Sequence, residues 1–148
     1  MSLAQRLDAA FKEALRGKRE VALSTLRMLR TAVRYREVDV KRPLAEPELQ
    51  AVLATQVKQR REAAAEYTKA GRLDLAHREE EEATFLLSFL PPQLGPEELE
   101  AEIAAVIAEV GAQGPKDLGK VMKSAMARLA GRADGKAVQE IVRRRLGS

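Results

Sequence analysis

Gly114-Pro115-Lys116-Asp117-Leu118-Gly119-Lys120-Val121-Met122, followed by Gly131-Arg132-Ala133-Asp134-Gly135-Lys136-Ala137-Val138, decides how the C-terminal part of this chain is built. The two stretches place two helix starts a short distance apart, each marked by glycine and lysine. A helix start leaves backbone N–H groups unpaired and carries partial positive charge, so it suits an anionic group such as phosphate. Lys116, Lys120, Arg132 and Lys136 strengthen that preference. Taken alone, the pattern describes an anion-facing helical module and leaves the anion unnamed.

Working outward, the rest of the chain also reads as helices. Pro115 to about Ala130 carries Leu118, Met122, Ala125 and Leu129 on its inner face. Asp134 is a good N-cap for a last helix that turns Val138, Ile141, Val142 and Leu146 inward. Before them, Pro96 to about Val110 opens on Glu97, Glu98 and Glu100, acids suited to a helix N-terminus. Pro91-Pro92 forms a stiff joint.

On the N-terminal side, Leu3, Leu7, Ala10, Phe11 and Ala14 follow a helical period that Gly17 is expected to end. A second helix from about Arg19 to Val38 has the apolar stripe Ala22, Leu26, Leu29 and Val33. Pro47 fits the first turn of a third, and Gly71 marks a tight connection to a fourth, from about Leu73 to Leu90. The end of that fourth helix, Phe85-Leu86-Leu87-Ser88-Phe89-Leu90, is apolar nearly all round and must be buried. It is expected where two subdomains meet, lending apolar surface to a small C-terminal unit. No period-two alternation of any length occurs. The expected fold is all-α: an N-terminal bundle of long helices over residues 1–92 and a three-helix subdomain over 93–148.

Composition agrees. Of 148 residues, 45% are apolar, yet only 3% are aromatic and there is no Trp, so the core must be aliphatic. Cysteine is absent, which excludes disulfides, thiolate metal sites and cysteine nucleophiles. With no apolar leader and no run approaching a membrane span, the expected location is a reducing cytoplasm, with no membrane partner. Net charge is +4, but the sign alternates in blocks. Residues 16–42 hold nine bases and three acids, 97–109 hold five acids and no base, and 111–148 hold nine bases and three acids. Such blocks either steer an acidic partner or complement each other within the fold.

No motif for catalysis stands out. His77 is a lone helical histidine, and no Ser sits in a nucleophilic constellation. No Walker, Rossmann or HExxH pattern is present. Consecutive helix residues such as Glu79-Glu80-Glu81-Glu82 point in different directions and do not converge on a metal. A turn at Gly71 would instead bring Arg60 and Arg61 level with Glu80 to Glu82 as ion pairs. No catalytic residue, metal or cofactor is therefore expected.

The candidates for binding are basic. Lys116, Lys120 and Lys123 share a helix face, with Arg132, Gly135 and Lys136 in and beyond the following loop. Gly119 inside a helix costs about 1 kcal/mol relative to alanine, which points to close approach by another backbone or by a ligand. Helix packing is the commoner reason for such a glycine. Arg27, Arg30 and Arg34 form a secondary stripe, with phosphate contact and a solvated face as balanced alternatives.

Six segments together resemble the YqeY-like family, in the family's order and over essentially the whole chain. They are Leu23-Ser24-Thr25-Leu26-Arg27-Met28-Leu29, Lys58-Gln59-Arg60-Arg61-Glu62, Ala70-Gly71-Arg72, Leu90-Pro91-Pro92-Gln93-Leu94, Gly119-Lys120-Val121-Met122 and Gly131-Arg132-Ala133-Asp134-Gly135-Lys136. That family is similar to the C-terminal tail of the B subunit of the tRNA-dependent amidotransferase acting on Glu-tRNA(Gln) or Asp-tRNA(Asn). The resemblance implies the same two-part helical architecture and a connection to RNA. It does not imply amidation, because the kinase-like body and amidase subunit that carry that chemistry have no room here. The expectation is thus a non-catalytic accessory module whose partner is tRNA, or a tRNA-modifying or aminoacylating complex. A protein-interaction scaffold without RNA binding is one alternative. Another is an amidotransferase-associated protein, with carbon–nitrogen ligase activity by similarity only.

Overall fold

A computed structural model describes residues 1–147 of the chain. It contains seven α-helices and one short 3-10 turn, and no strand among the described residues. The helices are α1 (Leu3–Gly17), α2 (Glu20–Val40), α3 (Glu46–Lys69), α4 (Leu73–Leu87), α5 (Pro96–Val110), α6 (Leu118–Leu129) and α7 (Gly135–Leu146), with the 3-10 turn Pro115–Asp117 leading into α6. The fold is all-α. The chain divides into two compact units, the first ending at Leu90 and the second beginning at Pro91.

In the first unit, α1 starts on a capping box in which Ser2 accepts from the Gln5 amide and the Gln5 side chain accepts from the Ser2 amide. Its last residue is Gly17, as expected. Gly17 stays helical, and Lys18 takes the left-handed conformation, with φ of 51°. Lys41 does the same at the end of α2, with φ of 59°. Gly71 has φ of 75° and sits in the tight turn between α3 and α4, where glycine's freedom is needed. At the start of α3, Glu48 accepts from the Ala45 amide at 2.9 Å and from both terminal guanidinium nitrogens of Arg42.

The core of this unit joins Leu3, Leu26, Leu29, Leu49, Leu53, Val57, Ala83, Leu86 and Leu90, with Phe85, Leu87 and Phe89 packed against it. The helix α4 stops at Leu87, short of the expected Leu90; Leu86 and Leu90 are buried, Phe85, Leu87 and Phe89 half-buried, and together they complete the first unit's own core. Phe85 and Phe89 meet edge to face at 5.4 Å between centroids, a geometry that aligns the positive edge of one ring with the negative face of the other.

The second unit has an independent core of Leu99, Ile103, Val106, Val121, Ala125, Leu129, Val138, Val142 and Leu146. Val121, not Leu118 or Met122, is the fully buried residue in the first half of α6. Leu118, Met122 and Met126 pack at its margin. Two ties to the backbone close the unit. Leu94 donates its amide to the Arg132 carbonyl at 3.0 Å, and the Gln93 side-chain amide donates to the Gly131 carbonyl at 2.6 Å. Gly131 itself has φ of 75°.

Candidate nucleic-acid interface

The charge blocks of the sequence are partly spent inside each unit. In the second unit, Glu100 on α5 accepts from Arg144 and Arg145 on α7. Those two bonds hold the Glu100 carboxyl below its usual range. Arg128 on α6 reaches Glu102 at 2.9 Å and Glu109 at 3.0 Å. The acids of α5 thus neutralise arginines of α6 and α7, which accounts for three of the nine bases that follow Gly111.

The lysines are treated differently. Lys116, Lys120, Lys123 and Lys136 are exposed, Arg132 is half-buried, and none of the five forms a salt bridge among the described residues. Lys120 and Lys123 stand on the α6 face opposite the buried Val121, Ala125 and Leu129. Lys136 is the second residue of α7. Among the described residues, no side chain caps the N-terminal amides of either α6 or α7.

Asp117 sets the loop before α6. Its carboxylate accepts from the Gln113 amide at 3.0 Å. That bond, the Gly114 amide and the charges of Lys116 and Lys120 together lower its pKa. The loop between α5 and α6 is thereby closed from within, and the Asp117 carboxylate lies in the field of both lysines. Gly114 is fully extended, with φ of −173° and ψ of −177°, a conformation open to any residue.

Gly119 answers the question raised by its place in a helix. A Cβ built there would meet nothing within 4 Å, so no neighbouring helix or backbone in this chain requires the glycine. Gly135, the first residue of α7, differs: a Cβ there would lie 3.5 Å from the Met126 methyl, an ordinary contact. Packing therefore demands glycine at neither position.

The secondary arginine stripe does not stay together. Arg30 pairs with Asp8 of α1 at 3.1 Å, and its guanidinium lies 3.6 Å from the centre of the Phe11 ring. It fastens α2 to α1. Arg27 and Arg34 have no ion-pair partner among the described residues. Arg60 is also structural. It is 6% exposed and binds Glu82 at 2.8 Å and Glu79 at 3.6 Å, across the hairpin that turns at Gly71. The partner set is shifted from the expected Glu80 to Glu82, and Arg61 remains exposed. Among the described residues, no group of three or more histidines or carboxylates stands close enough to hold a metal ion. No helix is long and apolar enough to cross a membrane.

A family model described as Yqey-like protein matches residues 4–146, nearly the whole chain. The chain belongs to the YqeY-like family. A search of curated proteins returns no match. Two segments that mark the family resemblance, Leu90 to Leu94 and Gly131 to Lys136, prove to be one structural device here. Gln93 and Leu94 hold the 131–132 backbone from which α7 departs. Sequence reasoning assigned Gln93 no role, although its place directly after Pro91-Pro92 in a family segment was the available signal.

Proposed function

We propose that this chain is a non-catalytic tRNA-binding accessory module, and that its second unit makes the contact through Lys116, Lys120, Lys123, Arg132 and Lys136. One observation carries the reading: among the described residues none of these five cations forms an ion pair, with Asp117 only in the field of Lys116 and Lys120, while Arg128, Arg144 and Arg145 are held by Glu100, Glu102 and Glu109. The open space beside Gly119 and the absence of a side-chain cap at the starts of α6 and α7 support it; the Leu118 amide already donates to the Pro115 carbonyl, and the amides after it are the ones a phosphate would reach. The family's similarity to the tail of the amidotransferase B subunit supports tRNA over other anions. Amidation by the chain alone has no support from its residues.

The test is tRNA binding by fluorescence anisotropy across a salt series, for the wild type and Lys120→Ala/Lys136→Ala. If both lysines touch phosphates, the double variant binds more weakly. Its slope of log K against log salt also falls by roughly 0.7–0.9 for each phosphate that is no longer neutralised. Equal affinity and equal slope for the two proteins would remove this site.

A further inference from the structure

The first unit carries a surface that the tRNA reading does not use. α2 buries Leu26 and Leu29 on one face and turns a second apolar row outward on another. Met28 is 52% exposed, Tyr35 81% and Val38 77%. At about 100° per residue, Tyr35 returns to within about 20° of Met28 and Val38 lies about 80° round from Met28, toward Arg27 and Arg34, so the three form a broad exposed band. Thr31, Arg34, Tyr35 and Val38 line an open depression along it.

Both signs occur beside the stripe: Asp39 lines the same depression and pairs with Arg36 at 3.5 Å. Arg27 and Arg34 lie together on one side of α2 and have no ion-pair partner among the described residues, whereas Arg30 is held by Asp8. Isolated exposed apolar residues need no explanation; three along one side of a helix, beside two guanidinium groups without an ion-pair partner among the described residues, do. Tyr, Met and Arg are also the side chains enriched in protein interfaces.

We infer that this face of α2 docks an acidic amphipathic helix of a partner protein. The apolar row would seat the partner's own apolar stripe, and Arg27 and Arg34 would meet carboxylates at its margin. Phosphate binding alone leaves the aliphatic Val38 without a role, because it does not stack on a base, whereas the Met28 sulfur already accepts from Arg60 at 3.5 Å. A second copy of this chain fits poorly, since two faces bearing Arg27 and Arg34 repel each other. The inference is independent of the tRNA site, which lies on α6 and α7.

The probe is a fluorescein-labelled helical peptide with leucines at positions i, i+3, i+4 and i+7 and flanking glutamates, beside a counterpart with lysines in place of the glutamates. With the full chain, the acidic peptide is expected to bind at least tenfold more tightly. Tyr35→Asp should abolish that binding. Arg27→Glu/Arg34→Glu should reverse the preference toward the lysine peptide, and Lys120→Ala/Lys136→Ala should leave it unchanged. All these positions are exposed, and circular dichroism confirms that each variant is folded. Three results overturn the inference: no binding of the acidic peptide, no reversal in the double-Glu variant, or a Tyr35-dependent signal that appears only with a uridylate oligomer. Sedimentation showing self-association that Tyr35→Asp removes would assign the face to a second copy instead.

Discussion

Replacing Gly119 by alanine should move stability and binding in opposite directions. Gly119 is the second residue of α6, its φ is not positive, and nothing lies within 4 Å of the position a methyl would take. The substitution therefore adds no clash and reduces the freedom of the unfolded chain, stabilising by about 0.5–1 kcal/mol. In a small domain that corresponds to a rise in melting temperature of roughly 2–8 °C. Binding should suffer. If a phosphate rests against the first turn of α6, the methyl lifts it away from the amides and weakens at least one charge-assisted hydrogen bond. Such bonds contribute about 1.5–3 kcal/mol, so tRNA affinity should drop about tenfold or more. Thermal melts followed by circular dichroism and anisotropy with tRNA measure the two quantities on one sample. A variant that melts higher and binds tRNA as tightly as the wild type would show that the space beside Gly119 is solvent and not part of an interface.

Three further outcomes are expected. Arg60→Ala strands Glu82, 6% exposed, with only the solvent-facing Arg78 at 3.4 Å, and should destabilise by about 3 kcal/mol or more in urea titrations. Arg60→Met/Glu82→Leu, which removes both charges, should lose much less; equal losses would mean that packing rather than unpaired charge sets the cost. The bonds of Arg42, and then the Ala45 amide, bring the pKa of Glu48 down from the usual 4.5 to about 2. Its stabilising effect is thus complete above pH 4.5 and disappears as pH falls toward 2. A carboxyl titration by NMR should show Arg42→Ala returning Glu48 toward its ordinary value. Gln93→Ala should cost about 1 kcal/mol and speed hydrogen exchange at the Leu94 amide, because the Gly131 carbonyl loses its side-chain donor.

Much of this architecture was legible from local chemistry, and the failures share one cause. Pro47, Gly71, Pro96 and Asp134 fix helix boundaries through the backbone conformations they allow, and α5 runs from Pro96 to Val110 as the sequence indicates. The hairpin between α3 and α4 was also readable, since Arg60 and Glu82 stand equally far from Gly71 along the chain. Arg30 was not readable as a structural residue. Its partners Asp8 and Phe11 lie on another helix, and no spacing within α2 announces them. The candidate lysines were legible as a basic cluster, but their lack of internal partners is a property of the folded unit alone.

That lack of partners follows a division between the two kinds of cation. Arg128, Arg144 and Arg145 each meet a carboxylate of α5, and guanidinium suits the task because its planar fork holds an oxygen in fixed geometry. Lysine is a compact charge on a flexible stem, which serves poorly as a clamp but binds phosphate as a point charge without fixed geometry. The second unit spends arginine on its own rigidity and leaves four lysines facing outward. Phosphate contacts made by such lysines supply affinity with little base discrimination, and they weaken as salt rises. Sequence preference among tRNAs, if binding assays find it, must then come from Arg132. Its main chain is fixed by Leu94 and Leu129, and it is half-buried beside the start of α7, so its position is held more firmly than that of the lysines. Lys120→Ala should accordingly weaken binding to all tRNAs alike, whereas Arg132→Ala should narrow the differences among them. A panel of purified tRNAs measured at one salt concentration decides it, and uniform loss from both substitutions would refute the division.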